Sequence, residues 1–242
     1  MKSPLIALSL GVCLLTVATK ATDAQIIYIG LQETGVDGDS ITQVASANGA
    51  VGATFSGAYG TFLINDISAY DLTSYQLSSA ALNFAATDAS VGQTFTVWIT
   101  ERDLTTADSP NKSIFDTTLT QNTLPPGWVV TASSYVSFDN SLWGTENQLA
   151  SAAFTGAGTS TQSSLLNISG PYSVTQEIQI AINSAGGFGS NGSLSTSDLL
   201  TIVPQVPEAP TWGMLLIGFA ALGFAGYRRR TGAAGPFRKR VT

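Results

Sequence analysis

The sequence predicts an all-β chain: an antiparallel β-sandwich ectodomain, followed by a Pro-rich linker and one short C-terminal transmembrane helix. Three observations carry that expectation. Between positions 25 and 203, apolar residues recur at period 2 in short runs, as on strands with one buried face. Stretches rich in Gly, Pro, Asn and Ser, such as TADSPNKS, LPPGW and NSAGGFGSNGS, punctuate those runs. Residues 212–227 then carry no charge and run directly into Arg228, Arg229 and Arg230.

Residues 1–24 have the layout of a secretory signal peptide. Lys2 gives a short positive start, residues 5–17 are an apolar stretch, and small residues around Ala21 and Ala24 offer cleavage. Cleavage after Ala24 is favoured because it leaves the apolar run from Ile26 near the new terminus. It also removes Cys13, the one cysteine of the chain, so no disulfide framework holds the mature protein. Export is the expected fate.

The ectodomain spans residues 25–203 and shows no amphipathic helix. The clearest strand is TFTVWITE, where Phe95, Val97 and Ile99 share one face and Thr96, Trp98 and Thr100 the other. YSVTQEIQIAI, residues 172–182, alternates in the same way, with Val174, Ile178, Ile180 and Ile182 on one face. Further strands are expected at 26–32, 41–46, 61–67, 77–85, 128–134, 147–154 and 193–202. About nine half-apolar strands at this spacing argue a sandwich, and the length is ample for one core. No repeat of fixed period is present.

Charge excludes one class of partner. Of the sixteen acids in the chain, fourteen fall between residues 25 and 203, where Arg102 and Lys112 are the only bases, a net charge of −12. Nucleic-acid affinity comes from Lys and Arg neutralising phosphates, so this region is not expected to bind nucleic acid.

The linker, residues 204–211, places Pro204, Pro207 and Pro210 at every third position, the repeat of polyproline II. Residues 212–227 as a helix would reach about 24 Å, slightly under the roughly 30 Å hydrocarbon core. Trp212 and Tyr227 flank the segment at interface depth, and the arginines can snorkel. Gly218 and Gly223 leave small-residue faces beside Phe219 that another helix could approach. The six bases after the span put the tail, residues 228–242, in the cytoplasm and the acidic domain outside.

Pro207, Glu208 and Pro210, the helix start TWGM, the GFA pattern and the closing RRR together resemble the PEP-CTERM sorting signal of Gram-negative bacteria. That signal also carries the label of an ice-binding protein C-terminal domain. The resemblance covers about a tenth of the chain. It implies engagement by an exosortase-type membrane protease or transpeptidase and removal of the tail, a logic like that of GPI anchoring. On that resemblance Pro207, Glu208 and Pro210 are the sorting motif, Trp212, Gly218, Phe219, Gly223 and Tyr227 belong to the membrane helix, and Arg228, Arg229 and Arg230 stop transfer. Two features depart from the pattern: Ala209 precedes the second proline, and the chain runs twelve residues past Arg230. The ectodomain is faintly similar to the Ser/Thr-rich β-domains that such tails follow, many from bacteria that build exopolysaccharide.

A search for chemistry narrows the function. The chain has no histidine, so Ser–His–Asp and Cys–His sites are impossible. Paired carboxylates stay open: Glu101 and Asp103 are the best local pair, with Glu33, Glu146 and Glu177 as further partners. Asp37 and Asp39 share a turn but lack the closing Glu of a calcium loop. Neither a metal nor a cofactor is expected. Trp98, Trp128 and Trp143 are candidate sugar contacts, because sandwiches that bind polysaccharide present aromatic side chains on a polar face.

The expectation is an exported, non-enzymatic envelope or matrix protein. It would begin as an inner-membrane-anchored precursor with a periplasmic ectodomain, then reach the cell surface or matrix if processed. A carbohydrate-binding module or adhesin, a glycan-active enzyme using Glu101, and a plain single-pass membrane protein are the alternatives.

Overall fold

The computed structural model describes residues 25–48, 51–73, 76–86, 92–105, 113–183 and 194–204, together with 219 and 220. The expected signal peptide, the linker beyond Pro204, nearly all of the expected membrane helix and the tail 228–242 lie outside them. Phe219 and Ala220 are helical, and Phe219 is 63% exposed. Among the described residues no helix is long and apolar enough to cross a membrane.

Twelve strands form, in chain order: β1 (Ile26–Glu33), β2 (Thr42–Asn48), β3 (Ala53–Tyr59), β4 (Phe62–Thr73), β5 (Gln76–Ala86), β6 (Thr94–Leu104), β7 (Ser113–Thr123), β8 (Trp128–Ser137), β9 (Asn147–Phe154), β10 (Gly158–Leu166), β11 (Tyr172–Ile182) and β12 (Leu194–Pro204). They build two six-stranded sheets with every pairing antiparallel. Sheet A runs β2-β1-β6-β11-β8-β9 and sheet B runs β10-β7-β12-β5-β4-β3. The expected sandwich is present. From β6 onward the chain passes back and forth between the sheets, so β11 and β12 enter as central strands late in the sequence.

Period 2 decides which residues meet between the sheets. Ile27, Ile29 and Leu31 of β1, Phe95, Val97 and Ile99 of β6, and Val174, Ile178, Ile180 and Ile182 of β11 are all buried in one apolar core. Each such side chain contributes roughly 1.5–3 kcal/mol relative to exposure. Phe95 reaches across the interior to sheet B, where its ring centroid lies 4.6 Å from Phe62 and 5.3 Å from Phe84. At the opposite pole, Tyr172 of sheet A meets Phe115 of sheet B edge-on at 6.3 Å. Ile26 pairs with Arg102 and Pro204 pairs with Ser113, so both described ends of the domain leave from this second pole.

The core also holds polar side chains on inward positions. Glu101 (1% exposed) and Asp198 (2% exposed) both point inward, as do Ser134, Gln176 and Thr117. The Ser134 hydroxyl donates to Asp198 Oδ2 at 3.3 Å across the two sheets, and Gln176 Nε2 donates to the Leu77 carbonyl at 3.4 Å. Burial, and then the charge of Asp71, pushes the Glu101 carboxyl up to about 8. Burial pushes Asp198 up to about 8 as well, against the lowering effect of the Ser134 hydrogen bond.

Candidate functional site

Sheet A turns a second, polar face away from the core, and register fixes what that face carries. Tyr28, Thr100, Thr175 and Tyr135 form one row across β1, β6, β11 and β8. Gly30, Trp98, Glu177 and Ser133 form the next row. Gln32, Thr96, Gln179 and Thr131 form the third. Neighbours within a row stand about 4.8 Å apart, and rows follow at two-residue steps of roughly 6.8 Å. The alternation that buries isoleucine on one side thus lays out a grid of hydroxyls, amides, aromatic rings and one carboxylate on the other. Of these, Thr96, Thr100, Ser133 and Thr175 are themselves buried, and Tyr28, Gln32, Thr131, Tyr135, Glu177 and Gln179 reach solvent.

Hydrogen bonds tie the grid together. Trp98 Nε1 donates to Gln32 Oε1 at 3.2 Å, and the Thr100 and Thr175 hydroxyls lie 2.9 Å apart. The Tyr135 hydroxyl donates to Glu177 Oε2 at 2.8 Å. Burial, and next the Glu177 acceptor, push the Tyr135 phenol above its ordinary range, so it keeps its proton and remains the donor.

The segment between β8 and β9, residues 138–146, folds against this face. Ser173 of β11 donates its hydroxyl to the Ser141 carbonyl at 2.6 Å. The segment is clamped to the end of β6 by a reciprocal pair: Asp103 N donates to Asn140 Oδ1 at 2.9 Å, and Asn140 Nδ2 donates to Asp103 Oδ1 at 2.6 Å. Arg102 Nε adds a bond to the Asn140 carbonyl at 2.9 Å. Asp103, Asn140 and Trp143 all hold left-handed φ angles of 60–63°, as a clamp with sharp local turns requires. The segment delivers Trp143 to Gly30. A Cβ built on Gly30 would meet Trp143 Cζ2 at 2.8 Å and Ile41 Cγ2 at 2.6 Å, so this position needs glycine for closeness.

The three candidate tryptophans therefore have three different fates. Trp143 is half-buried and keeps an open surface at the rim of the grid. Trp98 lies on the outward face as its alternation predicts, yet only 9% of it is exposed. Trp128 is 3% exposed and belongs to the hydrophobic core, so as a sugar contact it is corrected: it shares its face with Val130 and Ala132 and looks inward.

The carboxylates do not assemble as the sequence suggested. Glu101 faces the core toward Asp71 of β4, whereas Asp103 is engaged by Asn140. Glu33 accepts from the Thr61 amide and hydroxyl at 2.9 and 2.6 Å at the other pole. Glu146 is exposed, and Glu177 stands in the outer grid. Asp37 and Asp39 flank Gly38 in an exposed 3-10 turn, where Thr42 donates to Asp37 at 2.9 Å and the Gly35 amide to Asp39 at 2.6 Å. Among the described residues no group of three or more His, Cys, Asp or Glu is placed to hold a metal ion. Tyr28, Gln32 and Tyr135 are site residues that sequence reading missed. Only the register across four strands brings them together, and that register cannot be read from one strand.

No family model and no curated protein matches the chain. Among solved structures it is similar to one described as "CBM4 structure and function", at 12% identity over 63% of this chain and 87% of that one, with a TM-score of 0.26. It is also similar to the structure of infectious bursal disease virus Gt strain, at 14% identity and a TM-score of 0.28. That likeness covers 72% of this chain and 36% of the viral one. Neither likeness bears on the site.

Proposed function

We propose that the protein is an exported, non-enzymatic β-sandwich that contacts extracellular polysaccharide through the outer face of sheet A, and that its C-terminal segment is a PEP-CTERM-type sorting signal. One observation carries the binding half: the aligned outer rows combine aromatic rings with fixed amide, hydroxyl and carboxylate groups. Sugar rings are recognised by that combination, apolar faces on aromatics and hydroxyls on oriented polar groups. The sorting half rests on the order of features from Pro207 to Arg230. The non-enzymatic reading is supported by Glu101. The best catalytic candidate of the sequence is 1% exposed inside the core, where no polymer can reach it.

Retention of the full-length protein on insoluble extracellular polysaccharide, prepared from bacteria that make matrix, tests the binding half. The wild-type protein is expected to be retained, and Trp143→Ala to lose about tenfold in retained fraction while still showing a cooperative melting transition. Equal retention of the wild type and Trp143→Ala would remove the outer face from the function.

A further inference from the structure

The charge of the outer face says more than that it suits a sugar. Among the described residues Arg102 is the only Lys or Arg. It stands at the end of β6, and its Nε is already committed to the Asn140 carbonyl at 2.9 Å. The single charged side chain within the three rows is Glu177, in the middle of the second. One of its oxygens accepts from Tyr135 at 2.8 Å, which fixes the carboxylate in place and leaves the other oxygen able to accept from a ligand hydroxyl. The other polar groups of the rows that reach solvent, from Tyr28, Gln32, Thr131, Tyr135 and Gln179, are uncharged.

We propose that the ligand of this face is an uncharged polysaccharide, and that the face rejects polymers bearing carboxylate or sulfate groups; the inference rests on the polysaccharide-binding reading above. The chemistry is one of matching and exclusion. Hydroxyls are both donors and acceptors, as the amides and hydroxyls of the grid are, so a neutral chain leaves no buried polar group unpaired. An acidic chain would bring its anions beside Glu177, whereas the one cation among the described residues, Arg102, stands four residues along β6 from Trp98, the pairing partner of Glu177. It would also approach through the field of a region whose net charge is −12. Like charges juxtaposed at an interface discriminate against a wrong partner more strongly than a missing contact does.

Polymers that share one backbone and differ only in charge test this directly. The probes are hydroxyethylcellulose against carboxymethylcellulose, neutral xylan against glucuronoxylan, and dextran against dextran sulfate, each presented to the full-length protein in detergent at low and high salt. Retention on at least one neutral member, at least about tenfold above its charged counterpart at low salt and converging as salt rises, is the expected result. Glu177→Gln, which preserves the acceptor for Tyr135 and removes the charge, is expected to narrow that ratio. Equal or stronger binding of the charged member, or an unchanged ratio in Glu177→Gln, overturns the proposal while leaving sugar binding intact. Failure to bind any of the six polymers overturns the uncharged-ligand proposal. Loss of retention on the matrix polysaccharide as well would end the broader reading.

Discussion

At the scale of single residues, two carboxyl groups set the pH response of the whole domain. Glu101 and Asp198 sit in the core, each raised to about 8 from ordinary values of 4.5 and 3.8. Between those limits the folded protein holds two protons that the unfolded chain has already released. Stability must therefore fall as pH rises from about 4 to about 8, by up to about 1.4 kcal/mol per pH unit for each group, and level off above. For a domain of this size each kcal/mol is worth about 2–4 °C, so melting temperature should decline steadily across that window. Glu101→Gln with Asp198→Asn keeps the neutral shapes and should flatten the curve. A melting temperature that rises from pH 5 to 8 in the wild type would show that neither acid is held neutral. The sequence marks Glu101 only as a candidate catalytic acid and places Asp198 within the strand expected at 193–202; it is the inward positions, for Asp198 between Thr196 and Leu200, that give them this role.

At the scale of elements, the segment 138–146 is the part of the molecule that builds the candidate site, and Gly30 is its seat. A methyl group at position 30 would overlap Trp143 and Ile41 at 2.6–2.9 Å. Overpacking of this kind costs roughly 1–3 kcal/mol. Gly30→Ala should lower the melting temperature by about 2–12 °C and make tryptophan emission more accessible to an aqueous quencher as Trp143 lifts away. Unchanged quenching would mean that Ile41 alone yields and that Trp143 is not seated there. The same scale shows why nine strands were legible and three were not. Strands with several large apolar residues on one face, such as β6 and β11, announce themselves by period 2. β7 turns Thr117 and Gln121 inward beside Phe115 and Leu119, which blurs its alternation. β10, GTSTQSSLL, has no fully buried residue at all, because it is an edge strand whose Gln162 and Ser164 donate to carbonyls of β9 and whose exposed Ser163 donates to Asp116 of β7. β3 is short and broken by Gly57 at a register shift. Trp128 misled for the reverse reason: it opens the strand expected at 128–134, beside the LPPG turn, and its ring already faces inward.

At the scale of the whole molecule, the placement of the two described ends decides what removal of the tail would do. β12 is a central strand of sheet B, held between β7 and β5, and its last residue, Pro204, pairs with Ser113 at the pole where Ile26 also starts. No described strand continues past Pro204, so a cut between Gln205 and Pro210 leaves every ladder of the sandwich intact. Residues 204–211 as polyproline II would span about 25 Å, enough to hold that pole clear of a membrane surface while the outer face of sheet A stays open to the side. On the proposed function, anchored and released forms would then share one folded domain. The released form in the extracellular fraction of the native host is expected to have an intact mass ending within residues 205–210, and to match the membrane-held form in melting temperature. If the C-terminal segment is the proposed sorting signal, neutral residues in place of Arg228, Arg229 and Arg230 are expected to disturb membrane retention, since Lys and Arg next to a span favour the cytoplasmic side. Protease protection of an epitope at the C-terminus reads that topology directly. A chain that keeps residues 212–242 wherever it is found would make the segment a permanent anchor, and the polysaccharide face would then act only at the membrane.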